Sequence, residues 1–214
     1  MRTHPVFLRL EGRACVVVGG DEAALAKALA CREAGAAVTI IAPELPPGAE
    51  AGMRWLRRGY EAGDLRGAAL CYAVTADAAL IARLEDEARR ERVLLNVLDV
   101  PAACDFFAAA VVTRGDLQIA VGTGGESPAL AARLRRRLAD LVGPEYDTYL
   151  TILGAVRRRL DAGPGRGAVL AALLDSDLLE LVRRDDRPGI DRLLAEVAGR
   201  ACTLGALGLE APSR

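Results

Sequence analysis

One stretch constrains the fold more than any other: a short apolar run ends at two glycines and leads into a helix-forming segment. Cys15 to Val18 form the run, and Gly19 and Gly20 end it, as expected for a buried parallel strand before a tight turn. From Glu22 to Ala34 the chain is rich in Ala and Leu and lacks Pro and Gly, so a helix is predicted. Gly35 stands where a left-handed residue would end that helix.

A second apolar run, Ala37 to Ala42, completes a strand, helix, strand unit of about 30 residues, the length of a βαβ crossover. Compared with the dinucleotide-binding pattern G-x-G-x-x-G/A, Gly19 and Ala24 fit the first and last positions, whereas Asp21 replaces the middle glycine. A carboxylate at that position adds bulk and repels a phosphate. Two interpretations therefore stay open: a dinucleotide-binding turn, or an ordinary βα turn that binds no nucleotide.

The overall composition restricts the class of partner. The chain has 28 basic and 29 acidic residues and a net charge of -1, which argues against a nucleic-acid or membrane-surface binder and favours a small-molecule partner. Its five cysteines form no C-x-x-C pair, so we expect buried free thiols in a reducing cytoplasm and no metal site. The N-terminal residues contain charges and Pro5 instead of a long apolar segment, so neither a signal peptide nor a membrane span is expected.

The next part of the chain continues the βα pattern. Before the βαβ unit, a short strand is predicted at His4–Leu10. After it, and before residue 100, the predicted elements are strands at Met53–Arg57, Leu70–Thr75 and Val93–Val97 and a helix at Asp77–Arg92. Pro-Pro-Gly at 46–48 predicts a loop. Asn96 and Asp99 lie at the carboxyl end of a predicted strand, where open α/β sheets bind ligands, so both are candidate functional residues. The alternative for Asp99 is a cap or turn residue before Pro101.

The pattern changes after residue 105. Two strands, Phe106–Val112 and Leu117–Val121, are joined by a hairpin-like turn, and a glycine-rich turn then leads to Ser127 as the N-cap of a helix. The predicted helices are Pro128–Leu141, Glu145–Leu160, Ala168–Arg184 and Pro188–Ala201. Arginines at 133 to 137 and at 157 to 159 suit either solvated helix faces or a site that grips a polyanion.

With these segments in order, the chain resembles the precorrin-2 dehydrogenase family, which comprises the N-terminal portion of siroheme synthase and its stand-alone homologues. The similarity runs nearly from end to end of the chain. The segments that carry it are Pro5 to Leu8, Val16 to Gly20, Glu33 to Ala36, Asn96 to Pro101, Arg114 to Val121, Thr123 to Ala131 and Leu174 to Leu181.

The resemblance implies a Rossmann-like α/β fold with a doubly wound parallel sheet, followed by a dimerisation segment and a small helical domain. It divides the chain into an NAD-binding domain at 1–112, a dimerisation segment at 113–145 and a helical domain at 146–214. The implied activity is the oxidation of precorrin-2 to sirohydrochlorin with NAD as cofactor, in a cytoplasmic homodimer. Some members of the family also insert ferrous iron, Fe2+, to make siroheme.

The resemblance also implies which residues form the site. Asp99 matches the aspartate held responsible for proton handling in the family. The positions implied to bind the cofactor are Gly19, Gly20, Asp21, Glu22, Ala23, Pro43, Thr75, Asn96 and Val97. Those implied to bind the substrate are Thr123, Gly124, Gly125, Ser127 and Arg133. No residue is implied to bind a resident metal.

Four departures from the family pattern lie at the cofactor end: Asp21 replaces a third glycine, Ala26 an Arg, Ala76 an Asp and Ile81 an Asn. These departures leave a second interpretation open, in which the chain is a non-oxidising homologue, a tetrapyrrole chelatase or carrier that has lost tight NAD binding. A third is a dinucleotide-sensing regulatory protein without catalysis.

Overall fold

The computed structural model describes residues 3–46, 52–160 and 163–209 of the chain. These residues fall into two compact units. The first runs up to Ala108 and includes Gly124–Glu126, and the second comprises Ala109–Thr123 and the chain from Ser127 onward. The division into three parts predicted from the sequence differs from this one and remains a prediction.

The first unit is built on a five-stranded parallel sheet. Its strands are β1 (Ala14–Val18), β2 (Ala37–Ile41), β3 (Arg54–Leu56), β4 (Leu70–Ala73) and β5 (Leu94–Val97). They lie in the order β3-β2-β1-β4-β5, and each neighbouring pair is parallel. The chain thus builds outward from β1 in one direction and then returns to build in the other. This arrangement confirms the predicted Rossmann-like, doubly wound α/β fold.

Two helices cover opposite faces of this sheet. Alternate residues of β1 point to opposite faces, as in any strand. Val16 and Val18 pack in a core cluster with Leu84 of α2 (Ala78–Glu91). The other face, with Cys15 and Val17, packs in a second cluster with residues of α1 (Glu22–Glu33). Because β1 is buried on both faces, its sequence is continuously apolar instead of alternating.

Glu87, on α2, is a buried carboxylate that fixes the connection between β3 and β4. It accepts hydrogen bonds from the Tyr60 hydroxyl and from the main-chain amides of Gly63 and Leu65, the last at 2.8 Å. Burial raises the pKa of Glu87, but these hydrogen bonds outweigh it and hold the pKa below its usual value. Burial, together with the Glu87 carboxylate, raises the pKa of Tyr60. The carboxylate is therefore ionised and serves a structural role.

Glu87→Gln is expected to lower the free energy of unfolding by about 1–2 kcal/mol, because the amide NH2 cannot accept a bond from a buried amide. Since the folded pKa of Glu87 is lowered, its stabilisation is present at neutral pH and is lost as the pH falls below about 4. Urea unfolding at several pH values should therefore show a difference between the two proteins that shrinks in acid. The exposed Glu91 on the same helix supplies the control, Glu91→Gln. An equal loss at every pH would contradict the ionised role.

The second unit contains a two-stranded antiparallel sheet and five helices among its described residues. The strands are β6 (Ala110–Arg114) and β7 (Leu117–Val121), paired from Arg114 opposite Leu117 to Ala110 opposite Val121. The helices are α3 (Pro128–Leu141), α4 (Glu145–Arg159), α5 (Pro164–Leu174), α6 (Leu178–Arg183) and α7 (Arg187–Val197). Ile152, Val156 and Leu194 lie at the centre of the apolar core that joins the later helices.

Four predicted elements were wrong in position or type. His4–Leu10 forms no strand, and Phe7 is 66% exposed. The strand predicted from Phe106 starts at Ala110, because residues just before it are engaged with the end of the parallel sheet. The single helix predicted at 168–184 is two helices. The last helix ends at Val197 and not at 201, just before Gly199, which has a φ of 99°.

The break between α5 and α6 has a local cause. The Ser176 hydroxyl donates to the Leu173 carbonyl at 2.7 Å, and its oxygen accepts from the Leu178 amide. Ser and Asp side chains compete in this way with helical hydrogen bonds. The predicted helices from Pro128 and Glu145 are confirmed, as is the strand at 117–121. Part of the loop predicted at 46–48 lies outside the described residues.

Two kinds of feature are absent from the described part of the chain. No helix there is long and apolar enough to cross a membrane. In the same residues, no group of three or more His, Cys, Asp or Glu side chains is placed to hold a metal ion.

Candidate functional site

The candidate site lies at the carboxyl ends of β1 and β4, where the strand order reverses. Val18 and Ala73 are paired across these two strands, so Gly19 and Val74 follow them at the same edge of the sheet. Ligands of open α/β sheets bind in the crevice at this switch point. The turn after β1 also leads directly into α1, whose N-terminal amides and helix dipole favour an anion.

The two glycines of this turn are required by close packing. Gly19 has a φ of 130°, and a β-carbon there would lie 3.1 Å from the Val74 carbonyl oxygen. A β-carbon at Gly20 would lie 2.2 Å from the Glu44 carbonyl oxygen and clash with it. The fold itself therefore needs both glycines, whether or not the turn holds a nucleotide. The two glycines alone therefore do not decide between a dinucleotide-binding turn and an ordinary βα turn that binds no nucleotide.

Asp21 is the N-cap of α1. One carboxylate oxygen accepts a hydrogen bond from the Ala24 amide at 2.8 Å, and the Asp21 carbonyl accepts the first intrahelical bond, from Leu25. Asp is among the best N-cap residues, which explains why it stabilises this turn. Its exposed carboxylate also places a negative charge on donors that would otherwise be available to a phosphate. The amides of Glu22 and Ala23 have no carbonyl one turn earlier to bond and are the remaining donors of the first turn.

The loops after β2 and β4 bring two further predicted cofactor residues to this edge. Pro43 is exposed and lies between Ala42 and Glu44, both of which line Gly20. Thr75 is half-buried, and its hydroxyl accepts a hydrogen bond from the Asp77 amide at 3.1 Å. Asp77 in turn caps α2 by accepting from the Ala79 and Leu80 amides. The Thr75 hydroxyl therefore keeps its proton available as a donor.

Asn96 and Val97 of β5 are placed differently from the exposed loop residues. The Asn96 amide nitrogen donates to the Phe106 carbonyl at 2.7 Å and to the Cys104 sulfur at 3.5 Å, and the residue is only 6% exposed. The Val97 side chain lies in the core on the α2 face. Neither side chain offers a free donor to a cofactor, and the Val97 carbonyl already accepts from the Val100 amide and the Cys104 thiol.

Asp99 occupies a turn that directly follows β5. The Val100 amide bonds to the Val97 carbonyl at 3.2 Å and closes the turn. Asp99 has a φ of 61° in the left-handed region, and it is exposed. Such a conformation is unfavourable for most residues, although Asp and Asn tolerate it, and it is concentrated at functional sites. The Asp99 carboxylate is thus open to solvent at the carboxyl end of β5.

Sequence reasoning missed two neighbours of this turn. The Cys104 thiol lies 3.2 Å from the Val97 carbonyl oxygen and 3.3 Å from that of Val100. Asp105 bonds to both main-chain groups of Leu95: its amide donates to the carbonyl at 2.7 Å, and its carboxylate accepts from the amide at 2.9 Å. These contacts join β5 to residues seven and ten positions later. The sequence carries no periodic signal for such pairs.

The predicted substrate residues form the turn that precedes α3. The Thr123 hydroxyl accepts from the Ser127 amide at 3.3 Å, and the Ser127 hydroxyl accepts from the Leu130 amide at 3.2 Å. Ser127 is therefore the N-cap of α3, as predicted. Gly124 and Gly125 have positive φ angles of 62° and 86°. Arg133, on α3, is exposed and able to meet an anion.

A cavity of about 240 Å3 in the first unit does not coincide with the candidate site. It lies against α2 and is lined in part by Arg89, Cys104 and Asp105. Neither the glycine turn nor Asp99 lines it.

Two family models match the chain. A model described as "putative NAD(P)-binding" matches residues 6–110, and one described as "sirohaem biosynthesis protein central" matches residues 114–141. The siroheme synthase of Methylobacillus flagellatus is 37% identical over 175 residues, which are 78% of this chain and 38% of the relative. The chain belongs to the family of the siroheme synthase N-terminal region. It spans less than half the length of these curated relatives.

Other relatives extend the similarity over nearly all of the chain. The siroheme synthase of Methylococcus capsulatus is 34% identical over 206 residues, 92% of this chain and 44% of the relative. Among solved structures, SirC, a precorrin-2 dehydrogenase, superposes with a TM-score of 0.71 at 24% identity. The superposition covers 89% of this chain and 100% of SirC. This structural similarity supports the fold described above for this chain.

Proposed function

We propose that this protein oxidises precorrin-2 to sirohydrochlorin with NAD as hydride acceptor. The observation that carries the proposal is a single sheet edge that presents both a glycine turn with a helix N-terminus and a left-handed, exposed aspartate, Asp99. The first feature suits a dinucleotide, and the second suits a proton acceptor. The relatives named siroheme synthase and the similarity to a precorrin-2 dehydrogenase support the same activity.

The described residues fit the cofactor in part. Glu22 and Ala23 would hold the pyrophosphate through their amides at the N-terminus of α1. When bound, the nicotinamide ring accepts the hydride that leaves the substrate. The oxidation also releases a proton, and Asp99 takes it up as general base. The substrate thus loses one hydride to the cofactor and one proton to Asp99, which together make up a two-electron, two-proton oxidation.

The substrate carries eight carboxylates around a flat apolar macrocycle, so cationic side chains should hold its rim. Arg133 is an exposed guanidinium of α3, and the turn of Thr123, Gly124, Gly125 and Ser127 precedes that helix. We propose that these residues bind substrate carboxylates. Guanidinium groups pair with carboxylates in a bidentate manner, which fixes orientation as well as affinity.

A second function is favoured by one observation: the Asp21 carboxylate already occupies the N-terminus of α1. A chain that binds NAD weakly would serve as a tetrapyrrole chelatase or carrier, with Fe2+ as a substrate in the chelatase. Removal of pyrrole protons during metal insertion also needs a base, so Asp99 would keep its role. The two functions differ in whether NAD binds.

The deciding experiment combines two measurements on the purified protein. Calorimetric titration with NAD should show binding, and precorrin-2 with NAD should give sirohydrochlorin, followed by its absorbance. Absence of both would overturn the oxidative function. Formation of siroheme from sirohydrochlorin and Fe2+ without NAD binding would instead establish the chelatase.

We also propose a homodimer in which β7 and α3 contribute to the interface. Leu130, Leu134 and Leu141 are 48%, 36% and 70% exposed, and their spacing places them on one face of α3. A two-stranded sheet alone is marginal in water and gains from a covering partner. A two-fold partner would bury both features.

Light scattering at micromolar concentration is expected to give the mass of a dimer. Leu134→Glu should shift the protein toward monomer, because a charge in an apolar interface is costly. Arg136→Glu, an exposed change on the same helix, is the control for charge alone. A monomeric wild type would contradict the dimer.

The cell compartment is a further part of the proposal. All five cysteines are free thiols, and four of them are buried. Free thiols persist in reducing compartments, which supports a cytoplasmic location.

A further inference from the structure

The Cys104 thiol makes polar contacts with main-chain carbonyls, which a side chain that only fills space would not need. Its sulfur is within hydrogen-bonding distance of the Val97 and Val100 carbonyl oxygens, at 3.2 and 3.3 Å. These two carbonyls are the first and last of the turn that holds Asp99. The Cys104 thiol therefore lies against both ends of a turn whose exposed corner carries the proposed base.

The same thiol is joined to the sheet through Asn96. The Asn96 amide nitrogen has two hydrogens, and it contacts the Phe106 carbonyl at 2.7 Å and the Cys104 sulfur at 3.5 Å. Phe106 is itself fixed by an edge-to-face contact with Tyr72, with ring centroids 5.2 Å apart. A continuous chain of contacts thus runs from β4 to the Asp99 turn.

The protonation state of the thiol suits a donor. Burial raises the pKa of Cys104, against the smaller opposing effect of the Val97 carbonyl. The thiol is thus protonated at neutral pH, and its single S–H proton is shared between the two carbonyl oxygens. A sulfur that accepts from Asn96 and donates to the turn is used at both its acceptor and its donor.

We propose that Cys104 is a positioning residue, which, together with Asn96, holds the Val97–Val100 turn closed and keeps Asp99 in its left-handed conformation. A strained φ persists only where the surrounding structure over-determines it, and these contacts supply that restraint. The inference rests on the proposed function, since positioning Asp99 affects turnover only if Asp99 is the base.

Cys104→Ala is expected to lower the kcat of precorrin-2 oxidation by about 10- to 100-fold with little change in KM, because misplacing a reacting group costs rate and not ground-state binding. Cys104→Ser keeps a donor at the same position and should retain most of the rate. Cys104→Val keeps the volume without a donor and replaces the Ala variant if that one fails to fold. Cys202→Ala, in the second unit, is the control for loss of a buried thiol.

A double-mutant cycle separates positioning from general damage. In an Asp99→Asn background, Cys104→Ala should cause no further loss of kcat, because the group that it positions is already inactive. An equal fractional loss in both backgrounds would overturn the inference, as would a wild-type kcat in Cys104→Ala.

One measurement is independent of turnover. The three-bond coupling between the amide and α protons of Asp99, measured by NMR, reports its φ angle. It should match the left-handed conformation in the wild type and Cys104→Ser, and change in Cys104→Ala. An unchanged coupling overturns the inference whatever the activity is. If the wild type does not oxidise precorrin-2, the proposed function fails, and the coupling alone decides the role of Cys104.

Discussion

Asp99→Asn is expected to reduce the kcat of precorrin-2 oxidation by at least about 100-fold, the size of a lost general base. Asn is the right replacement because the φ of 61° is one that Asn tolerates as well as Asp. The variant therefore removes the proton acceptor without adding backbone strain. Product formation is followed by absorbance, and circular dichroism of the same sample reports the fold.

The chain offers a closely matched control for this change. Asp185 is also exposed, lies in the second unit and has a φ of 52°. Asp185→Asn makes the same chemical change in the same backbone conformation and should leave turnover unchanged. A wild-type rate in Asp99→Asn would exclude the carboxylate as the base. Asp99→Ala should also be inactive, but it should be less stable by about 1 kcal/mol, because Ala pays the left-handed strain.

Asp21→Gly is expected to tighten NAD binding by about 1–3 kcal/mol, which is about one to two orders of magnitude in Kd. The change frees the Ala24 amide, now 2.8 Å from the Asp21 carboxylate, and removes a charge that opposes the pyrophosphate. Glycine is also an acceptable N-cap, so α1 should lose only a few tenths of a kcal/mol. Calorimetric titration with NAD measures the effect.

Asp21→Asn separates the two causes. Asn keeps the cap and so keeps the Ala24 amide occupied, but it removes the charge. If repulsion dominates, Asn should bind NAD nearly as tightly as Gly; if competition for the amide dominates, Asn should resemble the wild type. Added salt should help the wild type more than either variant, since the carboxylate is exposed.

Two outcomes of this titration would change the interpretation. Equal binding by wild type and Asp21→Gly would mean that Asp21 does not oppose the phosphates, and the argument for a weakened cofactor site would fail. Absence of binding by both would favour the chelatase or carrier over the dehydrogenase.

The elements that sequence could predict are those with local signals. The strand, turn and helix around Gly19 and Gly20 follow from an apolar run, two glycines and a segment without helix breakers. α3 was predicted with its observed bounds, because Ser127 and Pro128 form a strong start signal. Where Ser and Asp side chains bond to the backbone, as at Ser176, helix propensity alone missed the break.

The parts that sequence could not predict depend on long-range contacts. Glu87 lies on an amphipathic helix among other charged residues. Its burial depends on the segment around Gly63, which packs against it only in the folded chain. Likewise, the contacts of Cys104 with the Asp99 turn are visible only when β5 is folded. For the candidate site, the sequence placed Asp99 at the end of a strand, whereas its left-handed φ required the structure.

Asp105 has a consequence for how the sheet ends. β5 is the last strand in the order, so among the described residues no strand takes the main-chain groups on its outer side. By bonding to both the amide and the carbonyl of Leu95, Asp105 imitates one residue of a sixth strand. An open edge is a template on which another chain can add a strand, and this one is blocked at its centre. The opposite edge is β3, which has only three residues. Strand addition between copies of this protein would accordingly be directed away from the parallel sheet and toward the free sides of β6 and β7.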